Sequence, residues 1–268
     1  MTEADATPAE GGEDHPRSDA ERERIVGLLE QHAPPDWQSR FEADALVDAI
    51  LAGEPVQMFV MAADIRNSTS LMKEAIRFER FAFIMDKFVT AVRRGIRGPG
   101  GWFDKFTGDG FLAYWIVQSG PDDVYDERFI QAAGNMVHSA RTCIDFFHRL
   151  VLEDFRSNSR NLPDGVGLSM GLDAGPGYLV QIGGELTIVG PPVVGAVRMV
   201  TAASQPREIL ANVFLGERVL EEQEGVYKGL GVSVEREHRP TKEYPQGQEV
   251  YVLSFVEPPA DDAQEPSP

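Results

Sequence analysis

VQMFVMAADI, residues 56–65, is an almost unbroken apolar run of strand length whose one charged residue is Asp64. A strand with one wet face alternates apolar and polar residues, because successive side chains point to opposite faces. This run does not alternate, so it reads as a strand covered on both faces. Gly53-Glu54-Pro55 separates it from what precedes, and the small polar loop Arg66-Asn67-Ser68-Thr69 follows it.

Working outward, Leu71 to Arg94 is striped with Leu71, Ile76, Phe81, Ile84, Phe88 and Val92, the spacing of one long helix. Gly98-Pro99-Gly100-Gly101 is a turn, and Trp102 to Val117 reads as a hairpin with Gly108-Asp109-Gly110 at its tip. The polar loop SGPDDVYD leads to a second long helix from Phe129 to about Phe155. VGLSMGLDAG (166–175) reads as a strand with GYLVQIG (177–183) as its hairpin partner. ELTIVGPPVVGAVRMVTAAS (185–204) reads as strand, turn and helix, and residues 208–212 and 248–255 as strands. Upstream, Ala20–Gln31 and Phe41–Leu51 have amphipathic helix patterns. The order is βαββαβ with further strands behind it. The expectation is an α+β sandwich of ferredoxin-like type, a mixed sheet with helices on one face.

The chain has 268 residues and a formal net charge of −18, with 25 basic and 43 acidic residues. Half of that excess lies in residues 1–22 and 257–268, which are also rich in Ala, Pro, Gly and Ser and read as disordered tails. Between them the expected organisation is a helical segment over 23–54 and the main domain over 55–256. No basic run points to nucleic acid or an anionic membrane surface. The single cysteine, Cys143, rules out a disulfide within the chain and any CxxC metal site. No stretch reads as a signal peptide or a membrane span, so a cytoplasmic location is expected.

Two carboxylates draw attention. Asp109 fits a tight turn by itself, and Asp64 fits an N-cap for the following helix. Together they admit another reading. Asp64 ends a strand at the edge where α/β layouts bind ligands, beside a loop whose amides suit an anion. A second carboxylate at a nearby hairpin tip completes what divalent cations need, namely a few hard oxygen ligands with phosphate and water filling the remaining positions.

The stretches ADIRNSTSLM, FDKFTGDGFLAYW and VGPPVVGAVRM, within residues 56–256, resemble the class III nucleotidyl cyclase catalytic domain. The resemblance implies two divalent cations, Mn2+ or Mg2+, held by Asp64, Asp109 and the Ile65 carbonyl. It implies a head-to-tail homodimer with shared sites, and attack of the ribose 3′-oxygen on the α-phosphate. Lys105 falls where adenylate cyclases place a base-reading lysine, and Thr187 where they place its aspartate partner. Arg198 falls on the transition-state arginine, and Val194 replaces the asparagine near the ribose. Arg66, Asn67, Ser68 and Thr69 form the loop expected to face the triphosphate. The metal carboxylates and the arginine are kept, while the base-reading pair is broken. DIRNSTSLMKEA and FDKFTGDG further resemble the Pycsar-type pyrimidine cyclases. That implies UTP or CTP as substrate, cyclic UMP ahead of cyclic CMP as product, and an effector that reads the product in antiphage defence. Adenylate cyclase and a silent nucleotide-binding or dimerisation module are the other readings. Arg198 and Arg66 also fit as solvent-facing arginines. Lys242 fits a solvated loop better than a phosphate site, and Met58, Met61 and Met72 fit core filler.

Overall fold

The computed structural model describes residues 19–40, 42–75, 78–117, 127–158, 162–217, 231–241 and 244–255. Most of the two acidic tails, the loop at 118–126 and Lys242 lie outside the described residues. The N-terminal elements are α1 (Asp19–His32), α2 (Trp37–Arg40) and α3 (Ala43–Ala52). Then come β1 (Val56–Arg66), α4 (Ser68–Glu74), α5 (Phe78–Arg97), β2 (Trp102–Phe106) and β3 (Gly110–Val117). Helix α6 (Glu127–Phe147) runs through a π-helical turn, His148–Leu152, into α7 (Glu153–Asn158). Strands β4 (Gly167–Ile182) and β5 (Glu185–Val189) precede α8 (Pro191–Ala202). The chain continues through β6 (Ile209–Ala211), α9 (Val213–Leu215), β7 (Val232–Arg239) and β8 (Gln248–Phe255).

The sheet runs β2-β3-β1-β4-β6-β8-β7, with β5 paired to β4. The first four strands have the ferredoxin-like order expected from βαββαβ, with antiparallel pairing at β2–β3, β3–β1 and β1–β4. Strand β6 joins β4 in parallel and carries the sheet outward.

β1 is central, and its side chains explain its composition. Phe59, Met61, Ala63 and Ile65 enter a core with Ile84, Phe88 and Val92 of α5 and Met136, Ala140 and Ile144 of α6. Met58, Val60 and Ala62 face the other way, into a second core with Ile25, Leu29, Leu46, Val47, Ala196 and Val200. Helices therefore cover both faces, which corrects the expectation of helices on one. The absence of alternation in residues 56–65 was already the mark of that arrangement.

Two further boundaries differ from the sequence reading. Residues 166–175 and 177–183 are one strand, not two arms of a hairpin. β1 pairs straight through Gly175, Pro176 and Gly177, and the chain reverses instead at Gly183-Gly184. Both of those glycines have positive φ, 63° and 94°. That is the mirror-image turn whose twist suits a hairpin. The long helix expected from Leu71 to Arg94 is divided into α4 and α5, with Ala75 in an extended conformation at the end of α4. Strand β7 was not anticipated. Its charged, partly buried sequence VSVEREHR hides the alternation of an edge strand.

Helix α8 lies directly on β4. A Cβ on Gly171 would collide with the Ala196 carbonyl and the Val200 amide. Gly171→Ala should therefore lift α8 from the sheet and lower stability by about 1–3 kcal/mol, as overpacking does. Urea unfolding of parent and variant measures this.

Candidate active site

The β1–β3 ladder ends with Asp64 opposite Gly110. One step further, the Ile65 amide donates to the Asp109 carbonyl (2.9 Å), and the Thr107 amide to the Gly110 carbonyl (2.8 Å). Gly108 takes φ = 96°, so the tip is the turn that its glycines announce. Gly110 is needed for a second reason: a Cβ there would strike the Ala63 carbonyl. The turn and the site are thus one structure. The backbone approach that only glycine permits sets Asp109 beside Asp64.

The two carboxylates feel one another. Asp64 is held above the usual carboxylate range, first by partial burial and then by the negative charge of Asp109, with Arg66 acting against both. Arg66 Nε lies 3.9 Å from Asp64 Oδ2, while its Nη2 donates to the Val200 carbonyl of α8. Ser68 Oγ donates to Asp109 Oδ2 at 2.7 Å. Asn67, in the left-handed region at φ = 55°, donates from its side chain to the Asp164 carbonyl. Thr69 is exposed in the first turn of α4, and the Ile65 side chain is buried in the first core. Among the described residues no group of three or more His, Cys, Asp or Glu side chains forms a metal cage. A paired carboxylate site with one arginine nearby fits a cation whose other ligands come from a bound phosphate.

A second cluster spans β2 and β5. Lys105 Nζ donates to Thr187 Oγ1 (2.9 Å), and Thr187 Oγ1 donates to Asp104 Oδ2 (3.0 Å). Lys105 Nζ is also 3.6 Å from Asp104 Oδ2. The two residues expected to read a base thus meet, with a buried aspartate behind them that the sequence reading passed over. Its neighbour Lys105 was visible. The β-bulge that brings both to one place was not.

Arg198 stands elsewhere, on the exposed face of α8. It lines a groove of about 720 Å3 with Val193, Val194, Val197, Pro240 and Thr241. Beneath α8, Asp173 is 6% exposed. It accepts from the Ala174 amide (2.6 Å) and from Asn212 Nδ2, and a Cβ on Gly195 would collide with it. The lone acid in the apolar run MGLDAG was the available signal for this residue. Among the described residues no helix is long and apolar enough to cross a membrane.

No family model matches the chain, and no curated protein matches it. Solved structures do. The adenylyl cyclase CyaB from P. aeruginosa aligns at TM-score 0.61 and 18% identity, over 76% of this chain and 96% of that one. The guanylyl cyclase Cya2 aligns at 0.54 and 17%, over 78% and 97%. The guanylate cyclase domain of RhGC from Catenaria anguillulae, in complex with GTP, aligns at 0.54 and 16%, over 75% and 98%. The chain therefore has the fold of class III nucleotidyl cyclase catalytic domains.

Burial pushes the Asp173 carboxyl up from 3.8 to about 7, with the Ala174 amide and the Arg198 charge opposing. The folded state then keeps a proton that the unfolded state releases, so stability falls as pH rises from about 4 to about 7 and levels off above. Asp64 and Asp104 are shifted in the same direction, so the parent alone cannot isolate this group. The difference between parent and Asp173→Asn should narrow or reverse by at most roughly 4 kcal/mol across that window. Urea midpoints taken at intervals from pH 4 to pH 8 measure it.

Proposed function

We propose that the chain is a nucleotidyl cyclase that joins the ribose 3′-oxygen of a nucleoside triphosphate to its α-phosphate and releases pyrophosphate. The observation that carries this reading is the placement of Asp64 and Asp109 side by side at the end of a central strand. Two carboxylates raise one another's energy unless a cation shares them. Asp64, Asp109 and the Ile65 carbonyl would hold two divalent cations, Mn2+ or Mg2+. When bound, these would polarise the phosphate and favour an ionised 3′-oxygen.

The chain's own residues do the rest. Ser68 orients Asp109 through its hydroxyl. Arg66 ties the end of β1 to α8. The loop Arg66-Asn67-Ser68-Thr69 borders the triphosphate, with the exposed Thr69 as its free hydroxyl. Lys105 and Thr187 face the base. Arg198 offers a planar fork of donors to the charge that builds on the α-phosphate. Such a reaction needs positioning and charge neutralisation and no covalent nucleophile.

Arg198 lies on an exposed helix face with Val194 and Val197, 48% and 45% exposed. This supports a head-to-tail homodimer in which each copy brings its arginine to the partner's carboxylates. UTP is the first substrate choice and CTP the second, with the cyclic nucleotide acting through an effector in antiphage defence. That choice rests on the resemblance to pyrimidine cyclases and on Thr187 in place of an aspartate. Lys105 favours the alternative of an adenylate cyclase. Val194 at the asparagine position favours a silent nucleotide-binding or dimerisation module.

Purified protein incubated separately with ATP, GTP, CTP and UTP plus manganese, with products identified by mass, should yield cyclic UMP or cyclic CMP. Cyclic AMP as main product would install the alternative, and no product from a folded dimer would favour the silent module. Asp64→Ala and Asp109→Ala should each abolish product without unfolding the chain. Mixing Asp64→Ala with Arg198→Ala should restore about one quarter of parent activity, because half the dimers are mixed and each has one intact site. No recovery on mixing would place each site within a single chain.

A further inference from the structure

Asp104 has no part in the chemistry above, yet its side chain is 1% exposed in a cluster with two residues assigned to the base. In a regular strand Asp104 and Lys105 would point to opposite faces. Here Phe103 pairs with Ala113 and Lys105 with Leu112, so Asp104 is an extra residue on β2. That bulge turns both side chains toward Thr187 on β5.

With Asp104 ionised, the hydrogen bonding has one consistent direction. A threonine hydroxyl carries one proton and two lone pairs, and an ammonium group only donates. Lys105 fills one lone pair of Thr187, and the Thr187 proton goes to Asp104 Oδ2. Thr187 therefore has one lone pair left and no proton, while Lys105 keeps N–H groups to spare. Thr187, 7% exposed, and the half-exposed Lys105 thus set an acceptor and a donor next to one another. The pairing edge of every nucleobase likewise sets a donor beside an acceptor, at a ring position and its exocyclic neighbour. A cluster with two donors would meet such an edge with one repulsive contact.

We propose that Asp104 is a positioning residue of the base site, which takes the Thr187 proton so that Thr187 reads the base as an acceptor while Lys105 reads it as a donor. The carboxylate acts from behind and does not touch the base. A Lys–Thr pair can then meet a pairing edge without a carboxylate of its own at the front. Asp104 is buried beside Tyr114 and faces the Ile188 amide, with its Oδ1 unpartnered. An ionised group in that place is costly, and structural needs alone would be met by an apolar residue.

This proposal rests on the cyclase reading, and the test separates the two. Binding of the preferred nucleoside triphosphate and of inorganic tripolyphosphate, a probe without a base, is measured by calorimetry. The proteins are the parent, Asp104→Leu, Thr187→Val and the double variant. The double variant replaces both partners with apolar groups, so it is the one best able to keep the fold. Expected are losses of about tenfold in nucleotide affinity for each single variant, with tripolyphosphate unchanged. The double variant should lose no more than either single one, because Asp104 acts through Thr187. The proposal is overturned if Asp104→Leu binds nucleotide like the parent, if it weakens tripolyphosphate equally, or if the two losses multiply in the double variant. A parent that binds tripolyphosphate as well as any nucleotide has no base site, which removes this proposal and leaves the phosphate site standing. A parent that binds neither removes the cyclase reading and this proposal with it.

Discussion

Two like charges are held together at the end of the sheet because the backbone beneath them is hydrogen-bonded into one ladder. The Ile65 amide bonds to the Asp109 carbonyl, and Gly110 lets β3 approach the Ala63 carbonyl closely. The backbones that carry Asp64 and Asp109 cannot move apart without breaking that ladder, and Ser68 holds the Asp109 carboxylate in place. Folding energy drawn from the apolar strands thus maintains an electrostatic arrangement that is unfavourable by itself. Sites that bind cations or phosphates use this kind of stored imbalance.

The two cores divide the labour. One, under α5 and α6, is almost wholly apolar and anchors β1 and β3. The other holds α8 against β4, and polar groups are buried around it. Asp104, Asp173 and Thr187 are all inside, each with named partners. Asp173 reaches Asn212 on one side and the Gly195 backbone on the other, so the helix bearing Arg198 rests on a buried carboxylate. Buried polar groups are costly unless paired, and pairing makes them rigid. The helix face that carries Arg198 is therefore set by the least forgiving contacts in the second core.

Arg66 shows how one side chain can couple the two regions. Its Nε lies 3.9 Å from Asp64 Oδ2, and its Nη2 donates to the Val200 carbonyl. The end of β1 beside Asp64 is thereby tied to the C-terminal half of α8.

The sequence by itself determined the central strand, the hairpin with Asp109 at its tip, and most of α5 and α6. Those features are local: an apolar run that does not alternate, glycines around Asp109, and helical stripes of Ile84, Phe88 and Val92. Tertiary structure decided the rest. Pairing with β1 carried the chain through Gly175-Pro176-Gly177, where local propensity asks for a turn. A bulge aimed Asp104 and Lys105 at the same threonine, against the period of two that a strand pattern assumes. Burial, which depends on α8 and β4 meeting across Gly171, turned Asp173 from a surface acid into a group that holds its proton near neutrality. In each case the deciding partner lies far away in the chain, and a pattern read along the sequence has no access to it.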